Sequence, residues 1–372
     1  MNSEPKLKRL VGLDILRTVA VLLVLGRHFP QTYPATNHWL GWILQGWKEC
    51  GWAGVDLFFV LSGFLVGGLL IQERMKYGEI QLKRFLIRRG FKIYPAFYVM
   101  ILASIVLRWK FHFPKVISEL LFVQNYFPGL WYHTWSLAVE EHFYLILATA
   151  LTLVAVRKFV PWAFVMCLVI PLMRIVHARW QPLYGDMTHL FPTHLRLDSL
   201  LWGVLLAVWY GYHREHFSRF WSRFCFAGTI FAVSAFLSLT VFPLGQESAL
   251  PNHFLDTLGF TVLAWASAAL VGVSVSREWG NSRLLRLVQA VGQNSYSIYL
   301  WHMLVHQILF DWRSPVKYAK KFGVAAEFWQ STHAREWNCL IFIVISISWG
   351  IIMAKLIEFP VLKVRDRLFP SR

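Results

Sequence analysis

The chain has 372 residues, of which 56% are hydrophobic and 15% charged, with a mean hydropathy of +0.47. A soluble protein of this length needs far more polar surface, so the composition excludes a soluble globular domain and indicates a polytopic membrane protein. The formal net charge of +17 does not indicate a nucleic-acid binder, because the basic residues fall in short clusters between apolar runs, the pattern of the positive-inside rule.

The apolar runs predict an all-α integral membrane fold of about ten transmembrane helices. They lie near residues 13–29, 52–72, 91–108, 135–156, 160–177, 197–211, 224–242, 254–275, 294–311 and 337–357. Lys6, Lys8 and Arg9 ahead of the first run resemble the start of a signal peptide. No small-x-small cleavage site follows, and Asp14 and Arg17 interrupt the apolar core, so a retained first helix is expected. An N-in, C-in topology places the basic clusters in the cytoplasm. These are Arg74 to Arg89, Arg157 with Lys158, Arg214 to Arg223, Arg277 to Arg286, and the tail from Lys363 to Arg372. The largest external loops are then 30–51, 109–134, 178–196 and 312–336. The second of them, rich in aromatic residues around Pro128 and Gly129, has the composition of a re-entrant or interfacial segment. Neither an internal repeat nor a low-complexity linker is evident, which predicts one integral domain over 1–372 with no soluble domain at either end. Cys50, Cys167, Cys225 and Cys339 are scattered without CxxC or metal spacing, and Cys167, Cys225 and Cys339, in or beside apolar runs, are expected to be small core residues.

Several membrane segments carry polar groups that a lipid-facing helix does not tolerate. In the first helix Asp14 and Arg17 lie one turn apart and are predicted to pair. His28 follows Arg17 by eleven positions, about three turns, so the two share a face at levels roughly 16 Å apart. Imidazole titrates near neutrality, which fits His28 as a general base or an acyl acceptor. In the fourth helix Ser136, Glu140 and Tyr144 form one stripe after Trp135. Glu140 is expected at the depth of His28, where a carboxylate orients an imidazole. The basic stretch Arg84, Arg88, Arg89 suits a phosphate-rich ligand, since guanidinium forks bind phosphate bidentately. Arg196 and Asp198 open the sixth helix, and Tyr299 and His302 lie on one stripe of the ninth. His302 and His306 have a zinc-pair spacing but no evident third ligand, so no metal is expected.

In this order these stretches resemble the acyltransferase-3 family of integral membrane acyltransferases, which modify cell-surface glycans and some lipids and antibiotics. The matching elements begin with Leu13-Asp14-Ile15-Leu16-Arg17, with His28 following, and Gly54-Val55-Asp56 through Ser62-Gly63-Phe64. They continue with Arg84 to Arg89 running to Tyr94-Pro95, Trp135-Ser136-Leu137 with Glu140-Glu141, Arg196-Leu197-Asp198, and Ser295 to His302. The resemblance implies a cytoplasmic acyl-coenzyme A co-substrate, most often acetyl-CoA. It also implies a hydroxyl acceptor such as a cell-surface or exported glycan, in the bacterial inner membrane.

Under that resemblance His28, Glu140, Arg17 and Asp14 are catalytic, and Arg84, Arg88 and Arg89 hold the coenzyme. Trp135, Ser136, Tyr144, Arg196, Asp198, Tyr299 and His302 contact substrate, and Trp131, Tyr132 and Trp135 are placed to stack on a sugar. Acceptor recognition by a partner protein or a second copy of the chain stays open. A transporter or flippase for a glycan or lipid-linked intermediate is the alternative; it explains the buried charges, but not a histidine and a carboxylate gathered at one depth.

Overall fold

The computed structural model describes residues 10–30, 39–107, 112–181, 183–240, 254–311 and 332–370, and no strand occurs among them. Lys6, Lys8, Arg9, Arg372 and most of the expected loop 312–336 lie outside the described residues. All ten apolar runs fall on helices. In chain order these are α1 (Val11–Arg27), α2 (Trp39–Cys50), α3 (Gly54–Tyr77), α4 (Leu82–Leu107), α5 (Phe113–Leu120), α6 (Trp135–Leu153), α7 (Val156–Trp180) and α8 (Leu197–Tyr212). There follow α9 (Arg214–Arg223), α10 (Cys225–Thr240), α11 (Phe260–Ser276), α12 (Arg283–Gln293), α13 (Ser295–His306), α14 (Thr332–Met353) and α15 (Phe359–Leu368).

Six of the described helical stretches are long and apolar enough to cross a membrane, or seven if the bent pair Arg214–Arg223 and Cys225–Leu239 is one span. The helices α1, α8 and α13 are shorter, at 17, 16 and 12 residues. Outward-facing apolar side chains are abundant. Leu168, Leu172 and Val176 on α7, Phe226, Ile230 and Val233 on α10, and Leu340 and Val344 on α14 are all exposed. In water such a surface would drive aggregation; in a bilayer it is the solvated face.

The short helix α1 is central. Its Leu13, Ala20, Val21, Val24 and Leu25 are buried, and it packs against α2, α3, α11, α12 and α13. Beside it, α3 and α8 meet backbone to backbone. A Cβ on Gly63 would stand 1.9 Å from the Leu200 carbonyl oxygen, and one on Gly203 would stand 2.2 Å from that of Val60. Apolar burial gives helices no reason to associate in lipid, so close van der Waals contact of this kind holds them.

Two expectations need correction. The segment 30–51 is not an open loop along its length, because Trp39–Cys50 is helical. Trp47 anchors that helix by donating its indole N–H to the Leu22 carbonyl at 2.9 Å. Cys225 is exposed, whereas Cys167 and Cys339 are buried as expected. Of the 109–134 stretch, the described part 112–134 buries Val116, Glu119, Phe122, Gln124 and Asn125. Glu119 accepts hydrogen bonds from the Trp131 backbone N–H at 3.0 Å and the Thr134 hydroxyl at 2.9 Å. Phe122, at φ 55°, makes the left-handed turn that reverses the chain.

Candidate active site

Two cavities lie one beyond the other along α1. The first, about 140 Å³, is lined by Arg17, Ser62, Arg89, Lys92, Ser136, Glu140, Glu141, Tyr144 and Tyr299. The second, about 50 Å³, is lined by Arg27, His28, Asp56, Tyr132, His133, Trp135, Asp186, Arg196 and Tyr299. Val55 and Tyr299 belong to both walls. The partition is hydrogen-bonded: the Tyr299 hydroxyl donates to the His133 carbonyl at 2.7 Å and lies 2.6 Å from the Ser136 hydroxyl.

The first cavity has three cations on its walls, Arg17, Arg89 and Lys92. Arg17 pairs with Asp14 at 3.5 Å, as the one-turn spacing predicts, and Gln293 of α12 donates to the other oxygen of Asp14 at 3.4 Å. Arg89 lies over the Tyr144 ring, 4.8 Å from its centroid. The Tyr144 hydroxyl donates to Glu140 at 2.5 Å and lies 3.0 Å from that of Ser62. Lys92 is bound to the buried Glu358, which also accepts from Ser297 at 2.8 Å. Three cations therefore converge on a polar chamber, and two of them, Arg17 and Lys92, are each paired with a carboxylate.

The second cavity holds the histidine. His28 follows the last turn of α1, and its ring lies 5.0 Å from that of His302 on α13. His133, just before α6, stands 4.8 Å from His302 on the other side. Burial raises the Asp186 carboxyl above the usual carboxylate range, opposed by the charge of Arg27. Among the described residues no group of three or more His, Cys, Asp or Glu side chains is arranged to hold a metal ion.

The structure redistributes several sequence-derived roles. Glu140 lines the Arg17 cavity with Tyr144 as its partner, rather than lying beside His28; the ring neighbour of His28 is His302. Of the three arginines expected to hold the coenzyme, only Arg89 reaches the cavity. Arg84 donates to Gln81 at 3.5 Å, and Arg88 is bound to the Phe369 carbonyl and to Asp366 at 3.1 Å. Arg196 and Asp198 are not partners of each other. Arg196 pairs with Asp56 at 2.6 Å, with its guanidinium 3.8 Å from the Phe260 ring centroid. Asp198 takes two hydrogen bonds from Arg174, at 2.9 and 2.7 Å. All four of these side chains are buried. Trp135 stacks on Phe191 with ring centroids 4.7 Å apart. Trp131 is buried and donates to Ser104 at 2.8 Å, so of the aromatic trio Tyr132 alone is exposed.

His133 and Arg174 had been assigned no role. Arg174 is a charge in the middle of an apolar helix, the same signal that singled out Asp14 and Arg17. His133 lies two residues before Trp135, within a stretch chosen for its aromatic residues alone.

The sequence profile of the acyltransferase-3 family (acyltransferase domain) matches residues 10–354. The chain belongs to this family. The chain is 28% identical over 327 residues to the O-acetyltransferase OatA of Staphylococcus aureus strain NCTC 8325, covering 79% of the chain and 50% of that protein. It is 27% identical over 346 residues to the putative O-acetyltransferase SACOL0978 of S. aureus strain COL, covering 84% of the chain and 54% of the relative. The chain thus spans about half the length of the curated relatives it matches. No solved structure gives a significant match.

Proposed function

We propose that the protein is a membrane O-acetyltransferase that moves an acetyl group from cytoplasmic acetyl-CoA to a hydroxyl of a cell-surface or exported glycan. The observation that carries the reading is the pair of adjoining cavities, one with three cations on its walls and one bearing histidine, which share Val55 and the hydrogen-bonded Tyr299 as a common wall. The reading includes about ten membrane segments with both ends in the cytoplasm, so that α1, α8 and α13 cross inside the bundle.

Arg17, Arg89 and Lys92 supply positive charge for the phosphates of the donor. Arg84 and Arg88 lie outside the chamber and serve its entrance. The flexible arm of the donor carries the thioester past Ser136 and Tyr299 toward His28, which takes the proton of the acceptor hydroxyl as that oxygen attacks the thioester carbon. The C–S bond then breaks, and the thiolate recovers the proton from His28. An acyl-histidine intermediate is the competing route. The names of the O-acetyltransferase relatives support the class of reaction.

The test uses inside-out membrane vesicles and labelled acetyl-CoA, with wild type compared to His28→Ala. Label in lumenal glycan with wild type alone is expected. Equal transfer by a well-inserted His28→Ala variant overturns the assignment of the base. Absence of transfer by both, with both inserted, favours another donor or the transporter reading.

A further inference from the structure

We propose that His302 positions His28 for catalysis by accepting the N–H of the His28 imidazole. The inference rests on the reading of His28 as the base. His302 Nδ1 lies 2.5 Å from the Tyr299 carbonyl oxygen. A carbonyl only accepts, so Nδ1 carries the proton and Nε2 carries the lone pair. Nε2 is buried and has no hydrogen-bond partner. The ring beside it is that of His28, with centroids 5.0 Å apart and planes inclined at 46°. Ring nitrogens project from their centroids, so a small rotation brings a nitrogen of His28 within hydrogen-bond distance of Nε2.

The unmet lone pair is the centre of the argument. A buried acceptor without a donor is unfavourable, and neutral His28 has one N–H to give. That N–H lies on the nitrogen that does not take the hydroxyl proton and donates to His302; when the other nitrogen takes the proton, the same N–H belongs to an imidazolium and its bond to His302 strengthens as the charge forms. An interaction that strengthens as charge develops lowers the barrier rather than merely tightening the ground state.

The surroundings make such an acceptor necessary. Two arginines, Arg27 on α1 and Arg196, line the cavity that holds His28. The carboxylates there are Asp56, engaged with Arg196, and Asp186. His306, on the same helix as His302, adds no negative charge. His133 is fixed in the same manner as His302: its Nε2 donates to the Leu300 carbonyl at 3.3 Å, leaving Nδ1 as an unpartnered lone pair. Its ring lies 4.8 Å from His302, so a second neutral imidazole backs the first.

The proposal is tested with the full chain in native inside-out vesicles, following coenzyme A thiol release and label in lumenal glycan from acetyl-CoA. His302→Phe keeps a ring and loses the lone pair; it is expected to lower kcat about 10- to 100-fold, the range for a hydrogen bond to a charged group. The donor KM is expected to stay within about twofold, as for an interaction made in the transition state. His302→Gln places an amide oxygen near the position of Nε2 and is expected to restore kcat to within roughly fivefold of wild type. Wild-type kcat in His302→Phe, or equal losses in the two variants, overturns the proposal. His28→Ala separates the two levels: if it retains activity, the base assignment falls and the proposal with it. If it is inactive while His302→Phe turns over normally, the proposal alone falls.

Discussion

Arg174→Met is the sharpest test of which buried charges hold the fold and which serve chemistry. Every N–H of the Arg174 guanidinium is used. Nε donates to the Thr257 carbonyl, Nη1 to the Leu195 carbonyl and Asp198, and Nη2 to Asp198 and the Thr261 hydroxyl, all between 2.5 and 2.9 Å. The side chains of the pair are 1% and 0% exposed, so neither is screened by water. Removing the arginine leaves the Asp198 carboxylate buried with only Thr261, at 3.2 Å, to donate to it. Breaking one side of a buried pair costs about 3–5 kcal/mol, a factor of roughly 10² to 5 × 10³ in the ratio of folded to unfolded protein. Arg174→Met with Asp198→Leu removes both charges and should recover at least half of that loss, since two apolar side chains of matched volume replace a buried pair with little penalty. The assay is unfolding by sodium dodecyl sulfate in mixed micelles, followed by tryptophan fluorescence, with transfer measured per folded molecule. Turnover of the folded fraction should stay near wild type. A single variant as stable as wild type, or a double variant no better than the single, refutes the reasoning. A change in substrate KM with stability intact would return Asp198 to the substrate-binding role that its sequence motif implied.

Two further outcomes are expected. Arg89→Ala should raise the apparent KM for acetyl-CoA by about tenfold or more, the scale of a lost charged hydrogen bond. Arg88→Ala, whose side chain is already engaged by Phe369 and Asp366, should change it little; initial rates over a donor series check both, and equal effects would contradict the cavity assignment. Burial raises Glu119 to about 7, with the Trp131 N–H and Thr134 hydroxyl acting in the opposite direction. The neutral acid is thus favoured in the fold, so this stabilisation is complete below the unfolded value near 4.5 and is lost as pH rises to about 7. Glu119→Gln, measured by thermal unfolding across pH 4.5–7.5, should flatten that slope; an unchanged slope would show that Glu119 is not its source.

The helices were legible because apolar run length is a strong signal, and every run predicted from it lies on a helix. The Asp14–Arg17 pair was legible because i,i+3 spacing within one helix fixes a contact. Partners across helices were not. Nothing in the spacing of Arg196 and Asp198 says that one reaches Asp56 on α3 and the other Arg174 on α7, since those contacts follow from how the helices cross. Glu140 illustrates the same limit: its stripe with Ser136 and Tyr144 was read correctly, but the depth at which the stripe faces α1 is set by tertiary packing. The short helix Trp39–Cys50 was missed because its charged end, Lys48 and Glu49, breaks the apolar run that length-based reasoning follows.

The wall made by Tyr299, Ser136 and the His133 carbonyl has an electrical consequence. A catalyst reaching both sides of an energised bilayer stands astride the potential, where each charge that leaks releases about 2.3 kcal/mol per 100 mV. An open aqueous channel from Arg17 to His28 would let protons run down that gradient. Here the two chambers share a hydrogen-bonded tyrosine rather than a continuous lumen, and Phe58 lies edge-on against that tyrosine with ring centroids 6.0 Å apart. Under the proposed transfer, a slender acyl-bearing arm would have to part this wall and fill the gap with its own bulk for the membrane to stay insulated.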